Sequence, residues 1–570
     1  MRSAEASNPV APTHEVTAAG LTVACRTAVR DASRPAMESL VGDHVAERLV
    51  RGDAELWGAA AADEAAMRLG WLELPRSSRE LLPRLRELTE AARTAHLDHV
   101  VLSGMGGSSL APEVITASRG CALTVLDSTD PQQVESSIAD RLERTLLVVA
   151  SKSGNTIETD SHRRAYEQAF TAAGIDPAER IVVITDPDSP LAELAEEHGY
   201  SLVLADPNVG GRYSALSAFG LVPAALAGVD VAALLDEAQA LMPTLEAAPA
   251  DNPALTLGAL LGGWSGHNKL LLAGNEATGL GDWIEQLIAE STGKNGTGIL
   301  PVVVPATAPA GVAPAPDTHA VRIAVTEPGT EPATEPATGA AQLDPLVDTV
   351  VTGPLGAQFL AWEFATALAG HLLGIDPFDQ PNVAESKNNT KALLAGPDEG
   401  GDTTTQPHTV EGPIEVYVAD TPVAQPLAAA TDVATVLRGL VESIPEDGYL
   451  AVLAYLDRTA DTRVTELREM LARETTRPVT FGWGPRYLHS TGQYHKGGPR
   501  NGVFLQLTGD ASRDLSIPEQ TYTFATLQRA QARGDLEALT RRDRPAVRLH
   551  LRDRRAGLAA LVEALQRSAT

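Results

Sequence analysis

Only two cysteines, Cys25 and Cys121, occur in 570 residues. A disulfide framework or a thiolate metal cluster is therefore excluded, and the pair reads as two thiols of a reducing compartment. Aromatic residues make up only 4% of the chain, which points to Ala-rich helix and sheet packing and away from an aromatic-rich binding surface. Positive charge is also scarce, with 45 Lys and Arg against 74 Asp and Glu and a formal charge of −29. Such a chain repels polyanions, so neither nucleic acid nor an anionic membrane is expected as a partner. No apolar run reaches about 18 residues. The opening MRSAEASNPVAP has no apolar stretch of signal type, so the expected location is cytoplasmic. There is no HExxH pair, cysteine ligand set or His-rich cluster, and neither a metal nor an organic cofactor is expected.

What is present is a soluble globular composition, 44% apolar and 21% charged, in a chain long enough for two or more cores. Residues 1–90 read as helical, with helices expected over 32–51 and 78–95. From Asp98 the pattern changes to short apolar runs at 99–102, 123–126, 145–150, 180–185 and 201–205, separated by helix-like sequence such as 158–173 and 190–198. Continuous apolar strands alternating with helices predict a parallel, doubly wound sheet covered on both faces, with ligands at the carboxyl ends of its strands. A second set of strands is expected at 269–273, 320–325, 414–419, 449–456, 479–483 and 502–507.

The reading is thus α/β, with two doubly wound, mainly parallel sheet domains and added helices at both ends. The segments are 1–90, helical; 91–235, the first sheet domain; 236–510, the second; and 511–570, a C-terminal helical segment with a short strand at 547–551. The second domain carries expected flexible insertions near 301–345 and 396–412. The first holds a Pro-rich stretch, PVVVPATAPAGVAPAP, and the repeat TEPGTEPATEPATG over 326–339.

Two motifs directly follow expected strands. SGMGGSSLAP, at 103–112, combines glycines that let a ligand approach the backbone with serine hydroxyls at a helix start, where N–H groups and the dipole favour an anion. It lacks the Lys-Ser/Thr ending of a nucleotide P-loop and is not a clean dinucleotide fingerprint. SKSGNTIET, at 151–159, places four hydroxyl residues, an amide and Lys152 within nine positions. That density of donors suits the three oxygens of a phosphate monoester.

Together these motifs resemble the sugar isomerase domain that binds phosphosugars. Three further segments narrow the resemblance to the phosphoglucose isomerase family. GGRYSALSAFGL at 210–221 resembles the family's signature around its active-site arginine. EQLIAESTGKNGTGI at 285–299 resembles the one around its catalytic glutamate, and PFDQPNVAESK at 377–387 the segment with its active-site lysine. The resemblance implies interconversion of glucose 6-phosphate and fructose 6-phosphate without a cofactor, on a small-molecule sugar phosphate, by a homodimer. It does not settle tolerance of mannose 6-phosphate. Carried over residue by residue, it implies that the Gly107 backbone, Ser108, Ser151, Lys152, Ser153 and Thr156 hold the phosphate. Arg212 would lie near C1 and C2, Glu290 would be the base, and Gln380 and Lys387 would line the sugar.

The chemistry asked of these residues is consistent with their types. Moving a carbonyl between C1 and C2 needs a base that removes and returns one proton, and a cation beside the developing enediolate. Ring opening needs a further acid–base group, for which histidine is suited. In common members of the family that histidine lies between the glutamate and the lysine, an interval holding only His319 and His371 here. HSTGQYHKGG at 489–498 instead resembles the family's histidine segment, placed late as in the isomerase portion of transaldolase–isomerase fusions. His489 is the choice on this resemblance, with His495 as the alternative. His489 is expected to share the pocket of Glu290, and His319 to lie on an exposed insertion.

Overall fold

The computed structural model describes residues 13–263, 266–274, 278–305, 315–326, 346–382, 389–390, 392–394, 406–419, 427 and 430–568. The chain opens on a hairpin, β1 (Thr13–Ala18) and β2 (Leu21–Arg26), and not on a helix. Leu21, Val23 and Cys25 are wholly buried, and this short alternation makes the helical reading of 1–90 wrong at its start. Helices follow at Thr27–Gly42, Val45–Val50 and Leu82–Thr94. Residues expected as one helix over 32–51 divide at His44, whose φ is +53°.

The first sheet follows the expectation closely. It comprises β3 (His99–Gly104), β4 (Thr124–Leu126), β5 (Thr145–Ala150), β6 (Ile181–Thr185) and β7 (Ser201–Leu204), in the order β4-β3-β5-β6-β7. All its pairings are parallel. β3, β5 and β6 are buried along their whole length, as continuous apolar runs covered on both faces should be.

The stretch 236–510, read as one sheet domain, holds strands of two sheets. The second sheet contains β8 (Lys269–Ala273), β9 (Leu300–Val304), β10 (Thr318–Val325) and β11 (Thr349–Gly353), in the order β1-β2-β11-β10-β8-β9. The N-terminal hairpin joins it antiparallel, through β2 on β11. β9 lies inside the stretch read as a Pro-rich insertion. Pro301 is tolerated there because β9 is, among the described residues, an edge strand paired with β8 alone. Most of the TEP repeat falls outside the described residues.

The third sheet contains β12 (Thr409–Glu411), β13 (Ile414–Val418), β14 (Tyr449–Tyr455), β15 (Val479–Trp483), β16 (Gly502–Gly509) and β17 (Ala546–Leu551), in the order β12-β13-β17-β16-β14-β15. β12 falls at the end of the expected 396–412 loop, of which 396–405 lies outside the described residues. β17 makes the C-terminal segment part of this sheet and not an appended helical end. β14 to β17 run parallel, so their carboxyl ends share one edge.

The largest core lies around the helix Leu355–Leu373, in which every residue from Leu355 to Gly370 is buried. It packs closely on the helix Pro253–Gly263, where a Cβ on Gly258 would meet Leu368 Cβ at 2.8 Å. A helix that is mostly apolar on every face is buried on all sides, and this one also buries Gln358, Glu363 and Thr366. No helix among the described residues is long and apolar enough to cross a membrane.

Candidate active site

The carboxyl ends of β3 and β5 carry the two glycine- and serine-rich motifs side by side. After β3 the chain turns through a 3-10 segment, Gly106–Ser108, into the helix Leu110–Ser118. Two of its glycines are dictated by close approach. Gly106 has φ +55°, and a Cβ there would lie 2.6 Å from the carbonyl oxygen of His489. A Cβ on Gly107 would lie 2.0 Å from the carbonyl oxygen of Gly211, in the arginine loop. The phosphate-type turn is therefore pressed on one side against the histidine segment and on the other against the arginine segment.

After β5, Ser151 Oγ lies 2.9 Å from Thr156 Oγ1, and Thr156 caps the helix Ile157–Ala172 without a side-chain capping bond. The first-turn N–H groups of that helix have no side-chain cap, the setting in which an anion is bound. Ser108 and Ser151 are buried. The two remaining candidates of this motif are otherwise engaged. Lys152 Nζ donates to Asp186 Oδ2 at 2.5 Å and to the Pro207 carbonyl at 3.3 Å. Ser153 is exposed and accepts from Asn155 N at 3.4 Å in a local turn. The Lys152 ammonium thus faces the Asp186 carboxylate and the Pro207 carbonyl at the edge of this motif.

Arg212 follows β7 in the 3-10 turn Gly211–Tyr213. Its guanidinium is held in place by Ser291 Oγ (2.8 Å), Gln380 Oε1 (2.6 Å) and the carbonyls of Pro377 (2.6 Å) and Asp379 (3.2 Å). Glu290 Oε1 lies 3.3 Å from Arg212 Nη1, with the arginine side chain 2% and the glutamate 11% exposed. The fixed fork of the guanidinium suits this multiple engagement. The loop is buttressed from the N-terminal segment. Gly70 N donates to the Asn208 carbonyl at 3.2 Å, and the Trp71 ring sits 5.2 Å from that of Tyr213.

Glu290 occupies the end of the helix Leu280–Thr292. One turn earlier, Gln286 Nε2 donates to Glu290 Oε2 at 3.1 Å and to the His489 carbonyl at 2.8 Å. His489 closes the 3-10 turn Arg486–His489 after β15, and its Nε2 lies 3.1 Å from Glu158 Oε1. The three sheets thus bring the 103–112 motif, Arg212, Glu290, Gln380 and His489 to one place.

The other histidines lie elsewhere. His495 is buried, with Nδ1 2.9 Å from the Tyr449 hydroxyl, and burial holds its pKa well below the ordinary value. His371 Nδ1 donates to the Leu56 carbonyl at 2.6 Å. His319 is not on an exposed insertion. It is buried in β10, 2.9 Å from Thr349 Oγ1, and desolvation lowers its pKa to about 3. Its place in a paired strand next to β8 and β11 overrides the Pro-rich sequence before it. Lys387 lies outside the described residues.

Motif reading missed several participants. Glu158 lies inside SKSGNTIET but was passed over among the hydroxyl donors. Lys294, in STGKNG, is buried and donates to the Asp376 and Asp379 carbonyls at 2.6 Å each and to Asp379 Oδ1 at 2.5 Å. Burial, and then the charge of Arg212, bring its pKa down to about 8. Lys294 and Arg212 together fix the loop that presents Gln380. Gln493 bonds both the N–H and the side chain of Asn382 (3.0 and 2.9 Å), docking the HSTGQ segment on the segment that leads to Lys387. Gln286 and Ser291, on either side of Glu290 in sequence, carried only the helical spacing of four and one as a signal.

The family model for phosphoglucose isomerase matches residues 76–298. Over 398 residues the chain is 30% identical to a glucose-6-phosphate isomerase of Rubrobacter xylanophilus, covering 58% of this chain and 89% of that one. A probable glucose-6-phosphate isomerase of Haloarcula marismortui is 31% identical over 348 residues, 54% of this chain and 80% of its own length. Among solved structures, a hypothetical protein of Thermus thermophilus aligns with a TM-score of 0.52 at 25% identity, over 64% of this chain and 97% of that one. A glucose-6-phosphate isomerase of Chlamydia trachomatis shares the fold, with a TM-score of 0.52 at 19% identity over 67% of this chain and 91% of its own. The chain is 30% or more identical to both isomerase relatives and covers 80% and 89% of their lengths, and on these grounds it belongs to the phosphoglucose isomerase family.

Proposed function

We propose that this chain interconverts glucose 6-phosphate and fructose 6-phosphate through a cis-enediol, with Glu290 as the base. The observation that carries the reading is the 3.3 Å pair of Arg212 and Glu290, in which the cation is locked by four further acceptors while the carboxylate keeps some exposure. A fixed cation beside a reachable carboxylate is what enolisation next to a carbonyl needs.

The phosphate would sit on the Gly107 backbone, Ser108, Ser151, Thr156 and the N–H groups that open Ile157–Ala172. His489, oriented by Glu158, opens the ring: it takes the proton of the anomeric hydroxyl and returns one to the ring oxygen as the C–O bond breaks and the carbonyl forms. Glu290 then removes the proton from C1 of the open ketose. The electron pair moves onto O2, where Arg212 stabilises the enediolate. The hydroxyl proton of O1 passes to O2, and as the O1 electron pair forms the C1 carbonyl the C1=C2 pair takes the proton back from Glu290 at C2, giving the aldose. Gln380, held by Arg212, lines the sugar, and the family resemblance adds Lys387 there. No step calls on a metal or organic cofactor.

The test is a coupled assay on purified protein with a chelator present, following glucose 6-phosphate formed from fructose 6-phosphate. Steady product formation that needs both Glu290 and Arg212 supports the reading, and absence of product counts against it.

A further inference from the structure

The third sheet meets the phosphate-binding domain through charge. Arg458 follows β14, Arg486 follows β15 and Arg554 follows β17, all at the shared carboxyl edge of that sheet. Their partners come mainly from the first domain. Arg486 reaches Asp127 Oδ2 at 2.5 Å and Glu113 Oε2 at 2.6 Å. Arg458 reaches the same two carboxylates at 3.5 and 2.5 Å, and Arg554 reaches Asp130 Oδ2 at 2.6 Å. Asp127 and Asp130 come just after β4, and Glu113 lies on the helix that follows the 103–109 turn. The carboxyl edges of the two sheets therefore face each other across these pairs.

Arg486 differs from the other two arginines in where it sits. It opens the four-residue 3-10 turn that His489 closes. In such a turn residues three apart project in the same direction. The Arg486 side chain is 8% exposed, Asp127 1% and Glu113 26%, and two charge-assisted bonds, with Asp282 of the Leu280–Thr292 helix further off at 3.7 Å, fix its orientation. That sets the direction of His489, whose carbonyl meets Gln286 and whose ring meets Glu158.

We propose that Arg486 is a positioning residue for ring opening. By docking the histidine-bearing turn on Glu113 and Asp127, it delivers His489 from the third sheet into a site otherwise built by the first two. The proposal rests on the reading of His489 as the ring-opening group. Arg486 touches no substrate itself. Its loss should therefore affect the ring-opening step and spare the proton transfer at Glu290.

The experiment compares kcat on fructose 6-phosphate, which is mostly cyclic, with kcat on 5-deoxyfructose 6-phosphate. The latter lacks the ring hydroxyl and stays open. Arg486→Gln should lower the first by about 10–100-fold, the range a small misplacement of a catalytic group produces, and leave the second within about threefold. Arg458→Gln removes a cation from the same carboxylates without touching the turn, and should leave the ratio of the two rates unchanged. Equal losses on both substrates for Arg486→Gln, or an equal change of ratio for Arg458→Gln, would show a merely structural clasp and overturn the proposal. If Arg486→Gln fails to fold, Arg486→Lys is read instead: a lowered ratio supports the proposal and a wild-type ratio overturns it. His489→Ala, run in parallel, separates the two levels. An unchanged ratio there removes the reading of His489 and this proposal with it, whereas a changed ratio beside an unaffected Arg486→Gln removes only the proposal.

Discussion

His489 Nε2 lies 3.1 Å from Glu158 Oε1 across 331 residues of sequence. Gln531 Nε2 donates to the same oxygen at 2.7 Å, and Thr129 Oγ1 donates to Gln531 Oε1 at 2.6 Å. A carboxylate that accepts from Nε2 fixes the tautomer and leaves Nδ1 as the acceptor. The motif that begins with hydroxyl donors thus ends by orienting His489.

Replacement of Glu158 by Gln keeps the shape and removes the charge. We expect turnover of fructose 6-phosphate to fall by about 10-fold or more, with a much smaller effect on 5-deoxyfructose 6-phosphate. Steady-state kinetics on the two substrates check this, and equal losses would make Glu158 a structural carboxylate only.

Ser151 and Thr156 face each other at 2.9 Å below the open helix start. Changing both to Ala should raise KM by about 10-fold, because hydroxyl donors to a phosphate act on substrate and transition state alike. Residual activity on high concentrations of unphosphorylated fructose should barely change. A large drop there would assign the pair to the fold or the chemistry.

Lys294 has a pKa lowered to about 8 by burial and the nearby Arg212, and it clamps the loop of Asp376 and Asp379. Above that pH it loses its charge and one of its three N–H donors, so its grip on the Gln380 loop weakens. An alkaline limb of activity near pH 8 is expected, moved to higher pH in Lys294→Arg. Stability should respond with the opposite sign. The unfolded chain holds this proton more tightly, so raising pH from about 8 to 10.5 removes a cost of charge in the folded state. Activity should therefore fall without a loss of Tm attributable to this residue, and kcat and melting profiles of the two proteins across pH 7–10 check both signs.

The first sheet was legible because each strand is a continuous apolar run ended by a turn signal, and its five strands fall within about two residues of the expectation. The boundary between the second and third sheets was not legible, because strand order depends on pairings distant in sequence, such as β10 with β8 and β16 with β17. β9 was hidden by Pro301, which an edge strand tolerates. In the site, Arg212, Glu290 and Gln380 were readable from segments with fixed spacing. Nothing local announces that Asp186 pairs with the Lys152 ammonium. Arg486 and Gln531 were invisible for the same reason, since each acts on a partner more than 350 residues away.

The central claim is that Glu290 carries the proton between C1 and C2, and it is tested most directly in heavy water. Fructose 6-phosphate is converted by the wild-type chain and by Glu290→Gln, and both the rate and the deuterium at C2 of the glucose 6-phosphate are measured. The account predicts some deuterium at C2 with the wild type, since a proton held on a carboxylate can exchange. For Glu290→Gln it predicts a rate lower by about 10²–10⁴-fold with KM nearly unchanged. Retention of more than about a tenth of the wild-type rate by Glu290→Gln, or wild-type product free of deuterium, would contradict it.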